Sequence, residues 1–203
     1  MNFPVSWEIL ALFCVTELAF SASPGTAVLM VVSRAASGGI RAAMATTFGV
    51  LCGNLIYFAV SASAIGAFLF ALREWFFAVQ WCGAAYLLYL AARAFLGHQG
   101  DKRTSRAAAF SESLFVQLAN PKTIIFFIAF LPIFIDPSES PAAQIAVLAA
   151  ASFIVELLVL CGYAYAAAKF AQIPGARSQK IRTKISAVLL CVAAASLALI
   201  EPE

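Results

Sequence analysis

The sequence predicts an all-α membrane protein, with six transmembrane helices arranged as two inverted three-helix repeats and with spans 1 and 4 interrupted. Three observations predict it. Of the 203 residues 63% are hydrophobic and 11% charged, with a mean hydropathy of +0.93, whereas a soluble domain holds about 45–50% apolar and about 25% charged residues. The apolar residues gather in six runs near the length of about 20 residues that a helix needs to cross a bilayer. The basic residues fall almost entirely in alternate loops. Helix is the expected element because in hydrocarbon only helices and closed barrels satisfy their own backbone, and barrel strands alternate polar and apolar residues, which these runs do not.

The spans are expected at residues 6–33, 43–71, 75–96, 112–135, 143–169 and 183–200. Residues 1–96 form the first repeat, 97–111 a basic linker and 112–203 the second repeat. Ser37-Gly38-Gly39-Ile40-Arg41 joins the first two spans and Arg73-Glu74 the next two. A turn from Asp136 to Pro141 precedes span 5, and a polar stretch over 173–182 precedes span 6. Ser21-Ala22-Ser23 after an apolar run resembles a cleavage site, but a signal peptide opens with Lys or Arg. Residues 1–33 contain neither, and Glu8 and Glu17 lie inside the run, so it is expected to be a retained first helix. Cys14, Cys52, Cys82, Cys161 and Cys191 all fall within apolar runs without a C-x-x-C or metal-type spacing, and are read as small packing residues.

Orientation follows from Lys and Arg, which cytoplasmic loops retain. Arg34 and Arg41 lie between spans 1 and 2. Arg93, Lys102, Arg103 and Arg106 lie between spans 3 and 4, and Lys169, Arg177, Lys180, Arg182 and Lys184 between spans 5 and 6; the opposite side has Arg73. Both termini are therefore expected outside the cytoplasm. Each half has an odd number of spans, so related halves would be inverted, an arrangement common among secondary transporters.

Ser23-Pro24-Gly25 in span 1 and Asn120-Pro121-Lys122 in span 4 lie well inside their apolar runs. Proline removes a backbone donor and clashes with the preceding turn, yet Ser or Asn followed by Pro is also a helix-start signature. A start signal within a span implies a discontinuous helix, tolerable in a membrane where the unwound backbone is buried in protein or lines a wet cavity. The two motifs occupy matching places in the two halves, which points to a binding site. The new N-termini would present free N–H groups and partial positive charge to an anion such as a carboxylate. The alternative is a pair of ordinary proline kinks.

Glu17, Lys122 and Glu156 lie deep in spans 1, 4 and 5. Each costs at least about 2.5–3.5 kcal/mol at the bilayer centre, so such residues face the bundle interior and pair or carry function. One reading is a structural ion pair between Lys122 and a glutamate. The other has Lys122 shaping the anionic end of a cavity, with Glu17 or Glu156 binding an ammonium or carrying a proton. Gly49 and Gly53 form a G-x-x-x-G pattern in span 2, read as helix packing. Asn54 follows and would want a polar partner. Tyr86 and Tyr89 are read as packing residues, Trp7, Trp75 and Trp81 as interfacial anchors, and His98 as solvated.

Several of these stretches resemble the LysE/RhtB amino-acid exporter family. Ser23-Pro24-Gly25 is similar to its Pro-Gly-Pro region, residues 49–57 to its glycine-rich second span, and Gly83-Ala84-Ala85-Tyr86-Leu87-Leu88-Tyr89-Leu90 to its third. Asn120-Pro121-Lys122, followed by Phe126-Phe127 and Phe130-Leu131-Pro132, resembles its Asn-Pro-Lys segment and the aromatic run after it, the most specific match. The recognisable motifs lie within residues 5–135; the last two spans match mainly in length and hydropathy. Three positions depart: Thr26 stands where a second proline is usual, Asn54 where an acidic residue is common, and Ser113 where a glycine is usual. The second departure shifts the coupling candidates to Glu17 and Glu156. The resemblance implies export of amino acids or close derivatives across the bacterial inner membrane, driven by the proton gradient, with no cofactor.

The expected partners are thus a small amino-acid-like substrate, protons and the lipid bilayer, with no nucleic acid; a homo-oligomer is compatible with the sequence and not required by it. The substrate-binding candidates are Ser23, Pro24, Gly25, Thr26, Asn54, Asn120, Pro121 and Lys122, and no enzymatic residue is expected. A metal-ion exporter on a related scaffold would want clustered His, Cys or carboxylate ligands, and the spans hold no His and scattered Cys. A membrane thiol-disulfide electron carrier would need two reactive cysteines within reach.

Overall fold

The computed structural model of the chain describes residues 4–62, 81–82, 85–86, 88–89, 91–92, 105–136, 138–171, 184, 188–189 and 191–192. Most of spans 3 and 6 and of the basic linker lie outside the described residues, and so do Trp75, His98 and the division into two repeats. Every element among the described residues is helical. Helix α1, Trp7–Ala22, begins at Ser6, whose hydroxyl accepts from the Ile9 N–H. Helix α2, Thr26–Gly38, continues the first span after a bend of 55°. Helix α3 follows as Ile40–Ala62.

Span 4 is likewise broken. Helix α4, Arg106–Leu118, is capped by Ser105; helix α5, Pro121–Ile125, is capped by Asn120; a π-turn at Phe126–Phe130 and a 3-10 turn at Leu131–Phe134 complete the span. The bend between the two parts is 51°. Pro132 accounts for the irregular end: it has no N–H to give to the carbonyl four residues back and its ring crowds that carbonyl, so the turn before it widens. Helix α6, Pro141–Phe170, starts after Ser140 with Pro141 in its first turn.

The helices α3 and α6 are each long and apolar enough to cross a membrane, and each bent pair passes the same test as one span. The chain is a multi-pass membrane protein, and its polarity is distributed accordingly. On α1 the large side chains Trp7, Leu12, Val15 and Leu18 are exposed, while the buried residues are Phe13 and Glu17. On α6, Ile154, Leu158 and Tyr165 face outward, and Ser152 and Glu156 lie in the buried stripe. Apolar groups outside and carboxylates inside suit a hydrocarbon solvent, which has no water to take up the charges.

Helix boundaries differ from the hydropathy reading in a consistent way. The expected loop at 37–41 shrinks to Gly39, whose φ of 77° is a left-handed conformation that favours glycine, so α3 starts three residues early. The helix at span 4 starts at Arg106 rather than 112. Hydropathy marks the lipid-embedded part of a helix, whereas the helix itself runs on to its cap. Trp7 and Trp81 are exposed, and Tyr86 packs edge-on against Phe115 of α4 with ring centroids 5.4 Å apart.

Beyond the membrane-embedded part, Gln144 closes the turn between span 4 and α6. Its amide accepts from the Asp136 N–H at 2.9 Å and donates to the Asp136 carbonyl at 2.8 Å. The Ser138 hydroxyl and N–H both donate to the Asp136 carboxylate and hold its pKa below the usual carboxylate range.

The core has two parts. Phe13, Tyr57, Phe58, Phe126, Phe127 and Phe134 form an aromatic cluster, in which Phe13 meets Phe134 edge-on at 5.1 Å and Tyr57 stacks on Phe127 at 5.0 Å. Val28, Val31, Val50 and Leu160 anchor the second part between α2, α3 and α6. A cavity lies where the two breaks meet these clusters.

Candidate functional site

The breaks leave carbonyl ends that need donors, and other elements supply them. Lys122, the second residue of α5, reaches back to the end of α1. Its Nζ donates to the Phe20 carbonyl at 2.5 Å and to the Ser23 carbonyl at 2.9 Å, and it lies over the Phe20 ring at 4.5 Å. The Tyr163 hydroxyl of α6 donates to the Ala22 carbonyl at 2.8 Å. At the other break the Tyr57 hydroxyl of α3 donates to the Leu118 carbonyl at 2.5 Å. The cation at the carboxyl end of α1 also meets the negative end of that helix dipole.

Glu17, Ser23, Gly25, Thr26, Asn54, Asn120, Lys122 and Glu156 all line one cavity. Of the remaining binding candidates, Pro24 is exposed and Pro121 is buried, and neither lines it. Two polar arrays furnish the walls. In the first, the Glu17 Oε1 accepts from Ser21 at 3.1 Å and from Ser152 at 3.0 Å. In the second, Asn54 donates to Glu156 at 2.5 Å and accepts from Gln117 at 2.7 Å. Gln117 also donates to the Thr123 hydroxyl at 2.8 Å and accepts from Asn120 at 3.3 Å.

Two expectations need correction, and one of two open readings is decided. Ser23 does not cap the second half of span 1: the N-cap of α2 is Gly25, without a side-chain hydrogen bond, and Ser23 instead ends α1. Proline 24 therefore precedes the helix rather than opening it, because Gly25 in extended conformation separates the two. Of the two readings of Lys122, the direct ion pair with a glutamate is not formed among the described residues, since the ammonium is drawn to the carbonyls at the end of α1. Among the described residues the salt bridge is instead Arg34 of α2 with Glu112 of α4. At the second break the reading from sequence holds locally: the Asn120 side chain accepts from the Lys122 N–H at 3.1 Å and Pro121 occupies the first helical position.

Sequence reasoning overlooks Ser21, Ser152, Gln117 and Thr123. Ser21 and Ser152 are each four residues from a glutamate, Glu17 and Glu156, and so share its helix face. Gln117 is a buried amide three residues before Asn120. A polar residue one turn from an intramembrane charge is the signal that finds the two serines, and Gln117 and Thr123 carry no such signal.

Gly49 and Gly53 face α4. A Cβ at Gly49 would run into the Ser113 hydroxyl and the Phe110 carbonyl, and one at Gly53 would come to 2.9 Å from the Gln117 Cγ. Among the described residues no group of three or more His, Cys, Asp or Glu is placed to hold a metal ion. The five cysteines are unbonded, and Cys161 touches Met44 sulfur to sulfur at 3.8 Å.

Bent spans, an apolar exterior and a charged cavity where the spans break define a multi-pass membrane protein with a polar site within its helix bundle. Comparison with known proteins gives the family. The chain belongs to the LysE type translocator family, whose model matches residues 18–200. It is 31% identical to a homoserine/homoserine lactone efflux protein of Salmonella typhimurium, over 92% of this chain and 94% of that one. An uncharacterized membrane protein of Vibrio cholerae is 28% identical over 86% and 87% of the two chains. A leucine efflux protein of Salmonella choleraesuis is 30% identical over 56% and 57%. No solved structure matches the chain.

Proposed function

We propose that this chain exports amino acids or close derivatives from the bacterial cytoplasm across the inner membrane, by proton antiport with alternating access. The observation that carries the reading is the cavity at the two span breaks, where Lys122, Glu17 and Glu156 come together with amides and hydroxyls. A zwitterion needs both signs of charge close together in a site screened from bulk water. Ser23, Gly25, Thr26, Asn120 and Lys122 serve the carboxylate end, and Glu17 or Glu156 serves the ammonium. The glutamate not used for binding is the candidate proton carrier, since intramembrane carboxyl groups mark proton relays in transporters.

The names of the relatives, homoserine/homoserine lactone and leucine efflux proteins, support small amino acids as the substrate class. The matched bends of 55° and 51° support a pair of inverted repeats rocking about a fixed site. The distribution of Lys and Arg supports cytoplasmic loops after odd-numbered spans and both termini outside.

The test is uptake of radiolabelled amino acids into inverted membrane vesicles, which turns export into accumulation. Uptake of a small amino acid is expected to rise on imposing an inwardly acidic gradient and to fall to the level of vesicles without the protein on adding a protonophore. Uptake indifferent to the gradient would remove the antiport claim, and no uptake of any amino acid would remove the function.

A further inference from the structure

The two breaks are unequal. The N-terminus of α5 is already served, since Asn120 accepts from the Lys122 N–H, and that helix spans five residues. The N-terminus of α2 is not. Its N-cap Gly25 contributes no side-chain hydrogen bond, and the first N–H with a backbone partner is that of Leu29, onto the Gly25 carbonyl at 2.9 Å. The first-turn N–H groups therefore have no intrahelical acceptor, and a 13-residue helix adds the positive end of its dipole.

A second, separate observation falls at the same place. Thr26, the first residue of α2, is 4% exposed and lines the cavity, and its hydroxyl has no hydrogen-bond partner. Buried hydroxyls without partners are rare and call for an explanation. Across the break, Glu17 is 3% exposed and lines the same cavity. Its Oε1 is fixed by Ser21 and Ser152, and its Oε2 has no partner. Glu156, by contrast, is engaged by Asn54. Lys122 lies beside the α2 N-terminus: a Cβ on Gly25 would be 3.7 Å from its Nζ. Two of the three ammonium donors are placed on carbonyls, so its charge reinforces the anionic subsite without filling it.

We infer that the substrate lies across the break of span 1, with its carboxylate on the α2 N-terminus and the Thr26 hydroxyl and its ammonium on the Glu17 Oε2. The ligand class is a free α-amino acid, and Glu156 is left to the polar array with Asn54 and Gln117. This assignment rests on the transport reading above and divides its candidate residues between the two ends of the substrate.

The test uses purified full-length protein and calorimetric binding of three probes for one transported amino acid: the free acid, its carboxamide, which keeps the ammonium but not the carboxylate, and its N-acetyl form. The variant Thr26→Val keeps the shape and removes the hydroxyl. It is expected to weaken the free acid about tenfold, the worth of a hydrogen bond to a charged group, while changing the carboxamide less than about twofold. Thr26→Ser is expected to restore wild-type affinity. Glu17→Gln is expected to weaken acid and carboxamide alike by about tenfold or more, and the N-acetyl form to bind neither wild type nor variant. Equal loss for acid and carboxamide in Thr26→Val, or no loss for the acid, overturns the carboxylate subsite. Unchanged binding in Glu17→Gln overturns the ammonium subsite. Wild-type protein that binds none of the twenty amino acids overturns the transport reading itself, and this assignment with it.

Discussion

Replacing Lys122 by alanine is expected to reduce export by roughly 100-fold or more, the scale of loss when a positioning group is misplaced, in vesicles holding as much inserted protein as wild type. The lysine does two things at once. Its charge stands at the cavity beside the N-terminus of α2. Its two hydrogen bonds to the Phe20 and Ser23 carbonyls tie the start of α5 to the end of α1, so one side chain from the second half of the chain fixes the first break. Alanine removes the charge and leaves those carbonyls without that donor. Lys122→Arg keeps the charge but replaces a compact ammonium with a planar fork, a poor substitute on two converging carbonyls, and is expected to retain a small part of the activity. Export at the wild-type rate in Lys122→Ala vesicles would show that the tie between the breaks is dispensable and would sink the role given to this residue.

The breaks are legible in the sequence because proline acts locally: Pro24 and Pro121 each lack a backbone donor and crowd the turn before them. The spans are legible because hydrocarbon solvates apolar side chains in long runs. What the sequence hides is partner choice. Lys122, Glu17 and Glu156 announce themselves as charges in apolar runs, but nothing in one dimension says that the lysine will cap the end of α1 rather than pair with a carboxylate. Arg34 reads as a loop charge, and folding joins it to Glu112 of α4. The capping reading of Ser23 fails for a related reason. Residue preferences locate an N-cap to within a residue or two, and here Gly25, in extended conformation, takes the position two residues after Ser23. Gln117 and Thr123 are invisible as site residues until the helices that face them are placed.

The second large effect lies in the packing that holds these partners together. Gly49→Ala is expected to destabilise the protein by about 3 kcal/mol, at the upper end of overpacking costs, and Gly49→Leu to prevent accumulation of folded protein. The added Cβ meets the Phe110 carbonyl, which belongs to the α4 backbone, and the Ser113 hydroxyl, which is buried and donates to the Ala109 and Phe110 carbonyls at 2.9 Å each. Neither can swing away as a flexible side-chain tip could, so α3 and α4 must move apart. Thermal unfolding in detergent checks this, with an unchanged midpoint for Gly49→Ala counting against the close approach. The double variant Gly49→Ala/Ser113→Gly is expected to recover part of the loss, since one of the two obstacles is gone. Gly53, one turn along the same stripe, meets the side chain of Gln117 instead. That side chain can shift, but it holds Asn54, Thr123 and Asn120 in the array that reaches Glu156. The same stripe of small residues thus sets the distance between two helices at one end and the geometry of the cavity wall at the other, and the closeness that lipid-embedded helices need for packing is what brings the amides of α3 and α4 within reach of each other.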